Sequence, residues 1–328
     1  MQRWRPWLLV LLALCGALAA FAATTAAPAN PPVPAGLDAK LWQRAVALTH
    51  RCLVIDTHCD GPGRMEKPGF DFTVWHDDGQ VDLAKMRQGG LDAEFMALFI
   101  APRLEGADAE PEALGQLEAV LEQVDSHPAQ LALARSSADL VRNHRAGKAS
   151  LCLGLEDATP ILKDRLDLLR FFYRMGVRYI GLCHMKSNFL CDSSTDKAQW
   201  DGLSPWGETV IREMNRQGMM IDVSHLSDAA VRDILAISTA PIFASHSDCR
   251  ALNDVPRNLP DDLIRAIAER GGVIDVNFFP AFLSAEYDRA NNERRERLRP
   301  ELDKIRPKFN NDLEGYFREV EALNAKHP

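Results

Sequence analysis

MMIDVSHLSDAAVRDILAISTAPIFASHS, residues 219–247, contains two copies of one pattern. An apolar, β-rich run at Met219–Val223 ends in Ser224-His225. An amphipathic helical stretch follows at Ser227–Ile237, and a second apolar run at Pro241–Ala244 ends in Ser245-His246. Short apolar runs separated by a helical period read as strand, helix, strand, which demands a parallel sheet with helices outside it. The same alternation extends in both directions. Further strand-like runs lie at Cys52–Asp56, Ala93–Ile100, Ser150–Leu155, Arg178–Leu182 and Val273–Asn277. Helical patterns lie at Glu112–Val124, Ile161–Met175, Trp206–Gln217 and Asp261–Arg270, several of them ending near glycine (Gly176, Gly218, Gly271). No dinucleotide-type glycine fingerprint follows the first run, so an α/β fold of the (β/α)8 TIM-barrel kind is expected rather than an open doubly wound sheet. The tail from Ala285 to Pro328 reads as charged helix, so the barrel is expected to stop before an eighth strand.

Three segments are expected: a signal peptide at 1–22, an Ala/Pro-rich linker at 23–37 and a metal-dependent hydrolase barrel over 38–328. Arg3 and Arg5 precede the apolar run Trp7–Ala19, too short to span a bilayer, and Ala20-Phe21-Ala22 offers a cleavage site. The expectation is export to the periplasm or outside the cell, with no transmembrane span in the mature chain. Cys15 as a lipidation site is disfavoured by the bulky Leu14 before it. The formal net charge of -8 argues against a nucleic-acid partner. The basic run Arg294–Lys308 alternates with glutamate and reads as a solvated helix face. Cys52, Cys152 and Cys183 lie on strand-like runs and are expected as buried thiols, whereas Cys191 and Cys249 fall in loops and could pair.

In a parallel barrel, chemistry sits at the C-terminal strand ends. Four of the nine histidines fall there (His58, His184, His225, His246), joined by Asp60 and Glu156. Residues two apart on an extended strand end point the same way, so His58 and Asp60 form an imidazole–carboxylate pair of the zinc-binding type. His225 and His246 offer a second pair, and Glu156 could bridge two ions with its two oxygens. Each residue has a blander reading. An HxD triplet is common, Glu156 could serve a helix N-terminus as Asp157 beside it does, and the histidines could be hydrogen-bonded core residues. The five together, in register on strand ends, favour a metal centre.

The combination resembles the membrane (renal) dipeptidase family, peptidase family M19, within the amidohydrolase superfamily. The resemblance runs from about Cys52 to Leu283. It rests on Val54–Asp60, Gly79–Leu83, Leu155-Glu156, Cys183-His184, Asp222–His225, Ala244–Ser247 and Pro256–Asp262. It implies a dipeptidase that cleaves a dipeptide's peptide bond with a hydroxide bridging two Zn2+ or similar divalent ions. His58 and Asp60 are then ligands of one ion, His225 and His246 of the other, with Glu156 between. His184 matches the histidine that meets the scissile carbonyl and steadies the oxyanion. Arg257 matches the arginine that holds the substrate's C-terminal carboxylate, a task suited to a planar guanidinium; on its own it would read as a loop arginine. Family members often form homodimers. They also continue into a strand ending in a Gly-x-Asp-Phe-Asp-like pattern, whose first aspartate handles the proton; the sequence to Pro328 holds no such pattern, and Asp275 does not match it. An incomplete barrel, aggregation-prone and with negligible activity, is therefore the expectation. The alternative is an inactive or fragmentary metal- or peptide-binding remnant in the cell envelope.

Overall fold

The computed structural model describes residues 32–101, 109–158, 162–309 and 313–326. The signal-peptide reading, Cys15 and most of the linker lie outside them. Eight strands form one sheet: β1 (Ile55–Cys59), β2 (Ala93–Phe99), β3 (Leu131–Leu133), β4 (Ala149–Glu156), β5 (Val177–Gly181), β6 (Met220–Asp222), β7 (Phe243–Ala244) and β8 (Val273–Ile274). Every pairing is parallel, and the strands run in the order β1-β2-β4-β5-β6-β7-β8, with β3 attached to β4. This is a curled α/β half-barrel of seven consecutive strands. Among the described residues β1 and β8 do not pair with each other.

The seven strand-like runs of the sequence are all present, with two corrections. The first strand begins three residues later than expected, which places His58 inside it. A short eighth element, β3, was not anticipated; its three residues are too few to display a period. Cys52 is exposed, not buried, because the shift leaves it in the turn before β1, whereas Cys152 and Cys183 are buried as expected. Cys191 is buried and Cys249 exposed, and both are free thiols, so the suggested pairing is not formed.

The helices begin and end on local chemistry. Ser204 caps Pro205–Gln217 by accepting from the Gly207 amide, Pro205 opens the helix, and Gly218 closes it at φ 74°. Ser227 caps Asp228–Ile237 in the same way, accepting from Ala230 N. Of the helix expected over Ile161–Met175, Ile161 lies outside the described residues, and Leu166–Met175 is a strongly amphipathic helix that buries Leu169 and Phe172. One continuous apolar core fills the space between sheet and helices, drawing Met96, Leu98, Leu151, Leu153, Leu155 and Ile221 from the strands. The opposite sheet face carries a smaller cluster of Phe95, Cys152, Tyr179 and Phe243. There Gly154 is a packing requirement: a Cβ on it would lie 2.0 Å from Cζ of Tyr179. The glycine lets that phenol cross β4 and aim at β1. Among the described residues no helix is long and apolar enough to cross a membrane.

Candidate metal centre

Strands β1, β4, β6 and β7 carry His58, Glu156, His225 and His246 at or just past their C-terminal ends, so one parallel sheet delivers all four to the same rim. Glu156 is the hub. Its Oε2 lies 3.4 Å from His58 Nε2, and its Oε1 lies 3.1 Å from His225 Nε2 and 3.7 Å from His246 Nε2. His225 Nε2 and His246 Nε2 stand 2.9 Å apart. Asp60 Oδ1 is 3.5 Å from His58 Nε2 and sits on the open side of the group, 71% exposed where Glu156 is 4%. His184 joins the same rim, with its ring 4.2 Å from that of His225 and edge-on to Phe99 at 4.9 Å. All six residues named from the sequence at the strand ends are therefore brought together. His184 lies within ligand reach of Glu156 and His225, closer to the metal-type cluster than a purely substrate-facing role requires.

One of these residues, His225, and the neighbour of another, Asp157, hold unusual backbone. His225 has φ 71° and Asp157, directly after Glu156, has φ 53°. For residues with a Cβ this left-handed region costs about 1–2 kcal/mol. The neighbouring loop holds His225 there, because its carbonyl accepts from Ser194 N at 2.8 Å.

The electrostatics follow from burial among charges. Burial alone would depress the His58 imidazole, yet the Glu156 and Asp60 carboxylates overcome it and hold His58 well above its ordinary value. Burial would raise Glu156, but His58 and His225 hold it well below the usual carboxylate range. Burial, with Arg257 nearby, pushes His225 down to about 3. Burial and then His58 depress His246, and burial depresses His184. His225, His246 and His184 are thus neutral beside an ionised Glu156, the states a divalent ion requires of its ligands, while His58 shares a proton with the carboxylates that an arriving ion would displace.

The residues fit such ions. Glu156 Oε1 is buried without a hydrogen-bond partner, and two imidazole Nε2 atoms face each other and that oxygen at close range. Nothing in a purely structural network would favour that convergence of acceptors, whereas one or two cations would satisfy it.

Arg257 is 6% exposed. It donates from Nη1 to Ser247 Oγ (3.1 Å) and from Nη2 to the His246 carbonyl (2.9 Å), and stacks over Phe282 at 5.4 Å. Burial lowers its pKa against the pull of the Glu156, Asp222 and Asp248 carboxylates, none of which pairs with it directly among the described residues. A buried guanidinium without a carboxylate is costly unless an anion arrives. Other parts of the resembling pattern are structural. Asp82 caps the helix Leu83–Gly89 and also accepts from His76 N. Asn258 ties its loop to the carbonyls of Asn253 and Phe282. A cavity of about 380 Å³ bounded by Asp192, Asp196, Asp228, Arg250 and Pro256 contains none of the cluster residues. Sequence reasoning assigned no task to Asp222, Ser245 or Tyr179. The phenol of Tyr179 lies 3.0 Å from His58 Nδ1, a contact set by three-dimensional packing across Gly154 that no local pattern announces.

The family model for membrane dipeptidases, peptidase family M19, matches residues 42–309. An uncharacterized dipeptidase of Schizosaccharomyces pombe is 35% identical over 264 residues, covering 74% of this chain and 63% of that protein. Dipeptidase 3 of Mus musculus is 33% identical over 253 residues, covering 73% of this chain and 50% of that one. Among solved structures, the probable dipeptidase PvdM from Pseudomonas aeruginosa superposes with a TM-score of 0.67 at 32% identity, covering 76% of this chain and 66% of that one. A metallo peptidase from Rhodobacter sphaeroides, liganded with a phosphinate mimic of the dipeptide L-Ala-D-Ala, gives 0.65 at 26% identity, covering 71% and 75%. The chain spans between half and two thirds of the length of the curated relatives it matches.

Proposed function

Because the chain belongs to the membrane dipeptidase family, peptidase family M19, we propose that its rim cluster is the centre of a metal-dependent dipeptidase. The observation that carries this is the convergence of His58, His225 and His246 on the two oxygens of one buried glutamate. His58 and Asp60 would hold one divalent ion, His225 and His246 a second, and Glu156 both. Zinc-type ions bound there supply activation of water at neutral pH and polarisation of a peptide carbonyl.

The chain's own residues do the rest. Arg257, buried and without an anionic partner, receives the free carboxylate of a dipeptide through its planar fork. Its hydrogen bonds to Ser247 and the His246 carbonyl fix it beside a ligand-bearing strand, so the captured carboxylate is held at a set distance from the cluster. His184, kept neutral by burial, presents one ring N–H for the negative charge that develops on the attacked carbonyl oxygen. Phe99 packs its ring in place. The Arg3/Arg5 and Trp7–Ala19 pattern supports an exported enzyme.

The test is a comparison of substrates. With the zinc-loaded chain, Arg257→Ala is expected to raise KM for L-Ala-L-Ala at least about tenfold while changing little for the corresponding dipeptide amide, which has no charge to lose. Equal losses on both substrates would remove Arg257 from carboxylate recognition. Absence of hydrolysis by the zinc-loaded protein would leave a binding role for the cluster.

A further inference from the structure

Asp222 ends β6, is 1% exposed, and is fully engaged by donors. Its Oδ1 accepts from Ser224 N at 3.0 Å and from Ser245 N at 2.9 Å. Its Oδ2 accepts from Ser245 Oγ at 2.6 Å. The same Ser245 Oγ lies 2.8 Å from Nδ1 of His246. A hydroxyl has one proton to give. Ser245 gives it to Asp222, so toward His246 its oxygen can only accept. Nδ1 of His246 must then carry the hydrogen, which leaves Nε2 with its lone pair, and Nε2 is the atom facing His225 Nε2 and Glu156 Oε1. A second tie holds the backbone: His246 N donates to Ser224 Oγ at 3.0 Å.

We propose that Asp222 and Ser245 are positioning residues whose proton order, from His246 to Ser245 to Asp222, fixes the His246 tautomer and aims its free Nε2 at the metal site. The role rests on the two-ion reading of the rim. Among the described residues His225 and His58 show no such device. Nδ1 of His225 is buried without a partner, and Nδ1 of His58 faces the Tyr179 hydroxyl, which can donate or accept. Asp222 also lies within ligand reach of His58 and His246. However, two of its three hydrogen bonds come from the backbone amides of Ser224 and Ser245, just past the ends of β6 and β7, which cannot turn away to release it.

Reversal of the relay is the test. In Asp222→Asn the side-chain oxygen stays with the two backbone amides, and the NH2 group faces Ser245. Ser245 then accepts from it and turns its own proton toward His246 Nδ1 at 2.8 Å, a nearer acceptor than Ser224 Oγ at 3.4 Å, which selects the opposite tautomer. Long-range 1H–15N spectra of the metal-free, histidine-labelled full chain read this directly, with His246 assigned by its loss in His246→Gln. The native spectrum should show protonated Nδ1 and bare Nε2, and Asp222→Asn should show the reverse. Zinc titration against a chelator should show one of two equivalents bound about 10- to 100-fold more weakly in Asp222→Asn and in Ser245→Ala, with near-native binding in Ser245→Thr. A native His246 protonated on Nε2 overturns the proposal. So does a folded Asp222→Asn that binds both equivalents within twofold of native. Should Asp222→Asn fail to fold, the native spectrum and the Ser245 pair decide. Should the native chain bind no zinc, the two-ion reading fails, and the native tautomer still judges the relay.

Discussion

Glu94 gives a quantitative handle on the fold. It sits on β2 in register with Asp56 of β1 and Leu151 of β4, facing the helix-packed core. It is 0% exposed, and neither carboxyl oxygen has a hydrogen-bond partner. Burial, and then the Asp56 charge, push its carboxyl up to about 9 from an ordinary 4.5. The folded protein therefore keeps Glu94 protonated at neutral pH while the unfolded chain ionises it. A group raised in the folded state contributes its full stability below the unfolded value and loses it as pH rises toward the folded one. Each pH unit in that window costs about 1.4 kcal/mol, so at pH 7 the penalty is about 3 kcal/mol. Glu94→Gln keeps the shape and removes the titration. In denaturant unfolding of the two chains side by side, native stability should fall relative to Glu94→Gln by about 4 kcal/mol between pH 5.5 and 8.5. Over the same pH range the native melting temperature should fall by roughly 5 °C relative to that of the variant. The amide's own desolvation offsets the curves by a constant and leaves the slope intact. Parallel stability–pH curves for the two proteins would refute the assignment of a buried, neutral carboxyl.

Two more expectations are independent of that one. Glu156 touches the histidines of both proposed ion pairs, so Glu156→Ala should abolish binding of both equivalents together; elemental analysis that finds one ion retained at full occupancy would reject the shared role. Among the described residues β8 has one strand neighbour, and it and the residues after it expose Val273, Val276 and Phe278, the last at 85%. Such an edge invites pairing between copies, so the 328-residue chain should self-associate in light scattering. Val276→Lys with Phe278→Asp should reduce that association, and an unchanged mass distribution in the double variant would clear this edge of responsibility.

The sequence made the rim legible because barrel chemistry is periodic. Ser-His at two successive strand ends, an HxD and a lone Glu-Asp at others can be read without coordinates, and the structure draws them within a few ångströms of one hub. What escaped reading has a common physical origin. β3 is three residues long and shows no period. Tyr179 reaches His58 only because Gly154, on another strand, leaves room. Glu94 looks like one polar letter in an apolar strand, and only its packing shows that it is fully buried with no hydrogen-bond partner among the described residues. β1 starts late because the amides of Arg51 and Cys52 still bond back to the Leu48 carbonyl at the end of the preceding helix, a tie that apolar content does not reveal.

The left-handed backbone of His225 sets the chain's heat tolerance against its ligand geometry. A glycine at that position would relieve the strain and strengthen the fold while deleting one imidazole. Laboratory evolution that rewards only survival of heating, in a chelating medium, would thus drift toward blind scaffolds. The same library heated with zinc present would keep the histidine, since occupancy of the rim adds to the free energy of the native state and outweighs a strain of one or two kilocalories per mole. The medium in which variants are heated, more than the mutations offered, decides whether a hardened version of this chain still has a metal centre.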